Sequence, residues 1–181
     1  MSVKIDLEES KRIVGVYRNT NYKVVDLWSE CDSMLDTMMN STIKAPLSLG
    51  QHGCVHYDNE GIILPNGLRI RYPGLRRENK DGKSQIVYDS RKGPVSIWGG
   101  TVVENVVQAL ARIIVGTQMV EINNHLRVAL TVHDAAVVVI PADEAEAAKA
   151  LVTGIMSKAP VWAEGLPVAC EAKLGATYGD V

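Results

Sequence analysis

The chain has 181 residues, enough for one domain or slightly more. Its 46% hydrophobic share supports a real core, and its formal charge of −2 removes any bulk electrostatic case for nucleic-acid binding, which would need locally clustered Lys and Arg. Cys31, Cys54 and Cys170 are widely spaced and odd in number, which fits reduced thiols and excludes zinc-knuckle spacing. Charges interrupt every apolar run before it reaches membrane-spanning length, so no membrane partner is expected, and "MSVKIDLEESKR" lacks the apolar segment of a signal peptide.

The first region, residues 1–46, reads as helix. Ile13, Val14 and Tyr17 recur at helical spacing, as do Val24, Val25, Trp28, Leu35 and Met38, with a break near Asn19 to Asn21. Asp6 followed by two glutamates marks a helix start.

Residues 47–98 change character, with Gly and Pro punctuating short β-like runs: "CVHYD", "GIILPNGLRIRYPG", "SQIVYDS" and "GPVSIW". Asn66-Gly67 is the favoured pair for a two-residue hairpin turn. Arg69, Arg71, Arg76, Arg77, Lys80, Lys83, Arg91 and Lys92 form the chain's basic cluster, either a solvated loop or a set of phosphate contacts. His52, Cys54 and His56 are spaced like metal ligands, but on a strand they would be widely separated, and a structural role is expected. Trp28, Trp98 and Trp162 read as packing anchors.

Residues 99–181 open with a long helix, "TVVENVVQALARIIVGTQMVEI". Apolar residues wrap most of its circumference, so it should be largely buried. Glu104, Gln108 and Arg112, at i, i+4 and i+8, form one polar stripe that faces either water or a ligand. The next segment reads strand, turn, strand, helix: "LTVHDAAVVVIP" places His133-Asp134 between two apolar runs, and Pro141 ends the second strand. Asp143 with Glu146 resembles a capping box for a helix that turns Ala147, Leu151, Val152, Ile155 and Met156 inward. "LPVACEAKLG" is a last β-like run. The expected class is α+β: a small antiparallel sheet with helices on one face.

Four segments, in order, resemble the C-terminal part of the family A DNA polymerases, the DNA polymerase I type, and especially their bacteriophage and prophage versions. "LPNGLRIRYPGL" resembles the hairpin after the fingers, and "WGGTVVENVVQALAR" the palm helix with the family's glutamine. "LTVHDAAVVVIPADEAEAA" resembles the Val-His-Asp hairpin of motif C, and "APVWAEGLPVACEAKLGATYGD" the closing strand and tail. The opening helices resemble the end of the fingers.

The resemblance implies a palm-type sheet and a nucleotidyl-transfer site with two Mg²⁺ ions held between aspartates of motifs A and C. It makes Asp134 the motif C metal ligand, a hard carboxylate suited to Mg²⁺. His133 then touches the primer terminus, and Gln108 reaches the minor groove at the nascent pair, where acceptors sit alike in all correct pairs. Arg112 supports these contacts, and Arg69 and Arg71 contact DNA. Two positions depart from the family pattern: Ala135 stands where Glu is common, and Glu104 where Asn is common. Motif A, the fingers helix that grips the triphosphate and the thumb have no counterpart in the sequence. The chain is therefore expected to be inactive alone, and to complete its site with an N-terminal polymerase chain or fragment carrying motif A and the fingers helix. Primer-template DNA and dNTP are the expected partners, in the cytoplasm of a bacterial host. A catalytically inactive, polymerase-derived module that binds DNA or a partner is the alternative.

Overall fold

The structure is a computed structural model that describes residues 5–80 and 82–180, so the first four residues of the 1–46 helical region lie outside it. The chain divides into two compact units, one up to Val106 and one from Val107. Mixed helices and small antiparallel sheets give an α+β fold, as expected.

In the first unit, α1 (Leu7–Thr20) starts where the sequence marks it: the Asp6 carboxylate accepts the Glu9 amide at 2.8 Å. The break falls at Asn21, whose amide still bonds the Tyr17 carbonyl, and α2 (Tyr22–Asn40) follows. Helix α1 buries no residue, whereas α2 buries Cys31, Met34, Leu35 and Met38, spaced i, i+3, i+4 and i+7 on one face.

Two sheets bury further apolar residues in this unit. Strands β1 (Leu47–Leu49), β2 (Val55–Asp58), β3 (Gly61–Ile63) and β4 (Arg69–Ile70) form an antiparallel meander burying Leu49, Val55 and Ile62. The β3–β4 connection corrects the expected two-residue turn. Gly67 N–H donates to the Leu64 carbonyl and Leu64 N–H to the Leu68 carbonyl, so Pro65 and Asn66 are the central pair and Gly67, at φ 81°, is the extra residue. Proline suits the first central position by its fixed φ, and Asn66 Oδ1 accepts the Leu68 amide.

Strands β5 (Arg76–Lys80), β6 (Lys83–Ser90) and β7 (Gly93–Ile97) form a second meander that buries Ile86, Val87 and Ile97. The basic cluster is thus not a loop at Arg76 to Lys80 but a strand. Partners across and along the strand, which a charge count does not show, accompany it: Arg77 faces Ile86 and Arg76 bonds Asp89 on β6, while Glu78 on β5 itself also bonds Arg76. His52 and Cys54 lie in bends before β2, not on a strand with His56, and no group of three metal-ligating side chains gathers among the described residues.

Helix α3 (Gly99–Asn123) gives its first two turns to this unit. Asp32, on α2, receives the Gly99 amide at 2.6 Å, a carboxylate at the positive end of the helix dipole. Beside it, Cys31 is buried, and desolvation together with Glu30 and Asp32 pushes its thiol up to about 12. At pH 8 it therefore carries its proton. Thiol titration of the native protein should label Cys54 and Cys170 while Cys31 reacts only after denaturation; rapid labelling of all three would contradict the burial.

In the second unit the rest of α3 leads to a hairpin of β8 (Val128–Val132) and β9 (Ala135–Val138), then α4 (Ala145–Met156). Ile122, Val152 and Ile155 form its buried cluster, covered by Leu126, Val128, Ala136 and Val138, so the helices lie on one face of the hairpin. Four expectations change here. Helix α3 is not buried all round, since Val107 is 57% and Val120 66% exposed. Asp143 falls in a 3-10 turn, and the residue before α4 is Glu144, without a side-chain cap bond. The buried face of α4 is Ala148, Val152 and Ile155; Ala147 and Leu151 are exposed. "LPVACEAKLG" forms no strand. The last two share one cause: the sheet here has two strands, so little apolar surface is on offer to cover.

Gln118 is buried on α3, and its Nε2 donates to the Met156 carbonyl at 3.0 Å and the Lys158 carbonyl at 3.4 Å. It thereby satisfies carbonyls that the end of α4 leaves without helical partners. Gln118→Leu should cost about 1–3 kcal/mol in urea unfolding, because the apolar replacement fills the space but leaves those acceptors unpaired. An unchanged midpoint would show that water replaces the bond.

Candidate functional site

The two-residue loop between β8 and β9 carries His133 and Asp134. Val132 pairs with Ala135 as the last rung, so the two polar residues form the tip. Glycine is the usual first residue of a loop with positive φ at that position, yet His133 holds φ 52°, and no other non-glycine described residue has a positive φ. Histidine tolerates this region better than most side chains, but such a conformation still costs on the order of 1–3 kcal/mol. The loop thus retains a costly residue where a glycine would be cheaper. The sequence carries a signal for this: "TVHDAA" crosses a tight hairpin with no Gly or Asn in it.

Both tip side chains are exposed. The Asp134 carboxylate enters no ion pair or side-chain hydrogen bond among the described residues, so its oxygens are open to an external ligand. At the other end of β8, Ala129 is an extra residue: Val128 faces Val138 and Leu130 faces Val137. A bulge of this kind bends and twists the strand that aims the tip. Ala135, the residue after Asp134, is exposed and brings no second carboxylate.

Gln108 and Arg112 stand one turn apart on α3, both exposed, with Glu104 one turn before them in the first unit. Arg112 makes no ion pair among the described residues; Gln108 and Glu104 do have partners.

Arg69 and Arg71 belong to the first unit and differ sharply. Arg69 Nη1 lies 2.6 Å from Asp58 Oδ1 with both side chains mostly covered, and the guanidinium holds the Asp58 carboxyl below its usual range. Its charge is already answered within the fold. Arg71, one residue past β4, is exposed and without an ion pair among the described residues. It lines an open depression of about 690 Å³ with Met38, Met39, Glu60, Tyr72 and Leu75. Arg77, likewise from the basic cluster, is tied to Asp36 at 2.6 Å.

A divalent-cation centre needs several hard oxygen donors around one point. Asp134 is a donor of the right chemistry and exposure, but no group of three His, Cys, Asp or Glu side chains that could hold a metal ion gathers around it among the described residues. No helix of the structure is long and apolar enough to cross a membrane, among the described residues.

Comparison with known proteins gives one relevant likeness. The chain is 30% identical over 174 residues to the DNA polymerase of Bacillus phage SP02, an alignment covering 90% of this chain and 26% of that polymerase. No protein-family model matches the chain, and no solved structure matches it. The chain thus spans about a quarter of the polymerase it matches, and over nearly all of its own length it is related in sequence to a phage DNA polymerase.

Proposed function

We propose that this chain is the motif C portion of a family A type DNA polymerase, and that it contributes one metal-binding carboxylate and primer-terminus contacts to a site completed by other polypeptide. The observation that carries the reading is the His133-Asp134 tip: an exposed, unpaired carboxylate on a strained, tightly closed loop, within a chain similar along its length to a phage DNA polymerase. Asp134 is the metal ligand in this reading. His133 faces the primer end, and Gln108 and Arg112 face the duplex near it. Helix and strand rises are compatible with that grouping: Arg112 is about 15 Å up α3 from Ile122, and the tip is about 17 Å along the hairpin from Val128, which packs against Ile122. Arg71 is the phosphate contact of the first unit, because Arg69 is neutralised by Asp58.

The missing parts, a second aspartate and a triphosphate-binding helix, come from outside these 181 residues, in a separate chain or a longer one. Mg²⁺ supplies charge stabilisation for nucleotidyl transfer when the full ligand set is assembled. The exposed apolar side chains of the hairpin and α3, among them Leu130, Val132, Val107 and Val120, are where such polypeptide would pack.

The test is reconstitution. This chain, mixed with a polypeptide carrying the motif A strand and the fingers helix, should extend a primer in a Mg²⁺-dependent manner, and neither piece should do so alone. A verified stable complex without extension would favour the inactive-module reading, to which Ala135 in place of glutamate is the pointer.

A further inference from the structure

The corner where α1 meets α2 exposes aromatic rings and cations together. The run Tyr17-Arg18-Asn19-Thr20-Asn21-Tyr22-Lys23 spans the end of one helix and the start of the next. Tyr17 is 49% and Tyr22 57% exposed, and Arg18 and Lys23 are exposed with no ion pair among the described residues. The nearest carboxylate along the chain, Asp26, is exposed and paired with neither cation. Behind the corner the rings form a ladder. Tyr17 stacks on Trp28 with centroids 6.4 Å apart and planes 19° from parallel, and Trp28 meets Trp98 edge-on at 5.5 Å.

A ladder that served packing alone would be covered, yet Trp98 is 50% exposed and α1 buries nothing. The ladder is also held in place. A side chain at Gly100 would run into the Trp98 ring, so glycine there lets the ring lie over the first turn of α3. Fixed, half-exposed rings lose little entropy when another ring stacks on them.

We propose that this corner is a stacking platform for single-stranded nucleic acid, with bases laid on Tyr17 and Trp98 and the backbone phosphates drawn to Arg18 and Lys23. Aromatic rings interleaved with unpaired cations are the chemistry that grips a single strand without reading its sequence. A duplex satisfies the cations equally but covers its base faces, so the rings select the single strand. The assignment of that strand as the unpaired template rests on the polymerase reading; the binding itself is a property of this chain.

Tryptophan fluorescence of the chain, titrated with an oligothymidylate of about 16 nucleotides, tests it. Expected are saturable quenching, at least about tenfold weaker binding of a duplex of equal length, and about tenfold weaker binding of the oligomer by Tyr17→Ala. Arg18→Ala with Lys23→Ala should flatten the dependence of log K on log salt by about 1.4, two phosphate contacts' worth on a single strand. Trp98→Phe, which keeps a ring, should retain most of the affinity. Absent quenching, equal affinity for duplex, or wild-type affinity in both Tyr17→Ala and the double variant would each overturn the proposal. Asp134→Ala should bind the oligomer normally, so a failure of primer extension leaves this result standing, and the reverse holds as well.

Discussion

Primer extension by the completed enzyme should fall at least about a hundredfold when Asp134 becomes alanine, while the melting temperature of the chain stays where it is. The activity side follows from ligand chemistry: loss of a partner that merely orients a metal ligand costs about 10–100-fold, and loss of the ligand itself should cost more. The stability side follows from the fold. Asp134 is exposed, makes no side-chain bond among the described residues, and sits in a loop closed by the Val132–Ala135 rung and not by its carboxylate. Surface changes of that kind stay within about 0.5 kcal/mol. Asn keeps the shape and one oxygen but not the charge, and hard divalent cations need the charge, so Asp134→Asn should fall almost as far. Asp143→Ala is the control: another exposed carboxylate of the same unit, outside the hairpin tip, where extension should be unchanged. Extension by Asp134→Ala within about threefold of the parent would remove the metal role and with it the proposed function.

What the sequence made legible is local. The break between α1 and α2, the Asp6 cap and the strand–turn–strand around His133-Asp134 each depend on residues a few positions apart, and each is found where the pattern puts it. Most of what it hid depends on residues far apart, the Pro65-Asn66 turn and the uncapped start of α4 being local exceptions. Asp32 caps a helix 67 positions later, Gln118 serves the end of a helix some 40 positions on, and Arg69 is claimed by Asp58. None of these shows in periodicity or composition. The strand at Arg76–Lys80 was hidden because Arg76 is paired across and along strands and Arg77 with Asp36 of α2, which a count of cations cannot reveal. The burial of α3 falls short of what its pattern predicts for a physical reason: an all-round apolar helix states what it would bury given enough neighbours, and the described part of the chain leaves Val107 and Val120 uncovered.

The same distinction between local preference and long-range contact gives the second large expected effect, at two glycines of one helix. By helix propensity alone, alanine at Gly99 or Gly116 should help α3, by up to about 1 kcal/mol. At Gly116 nothing lies within 4 Å of the added methyl, so Gly116→Ala should raise the urea midpoint. At Gly99 the methyl would run into the Trp28 carbonyl, a backbone group of α2 that cannot swing aside as a side chain end can. Nor can α2 withdraw cheaply. Cys31, Met34 and Leu35 hold it in the core, and drawing α3 away would break the 2.6 Å bond from the Gly99 amide to Asp32. The steric cost and the strained cap add, so Gly99→Ala should lower stability by about 3 kcal/mol or more. Urea unfolding of the two single variants against the parent checks both signs at once. Equal shifts in the same direction would mean that the approach of α2 to the start of α3 does not constrain the fold, and that Asp32 acts there only as a surface charge.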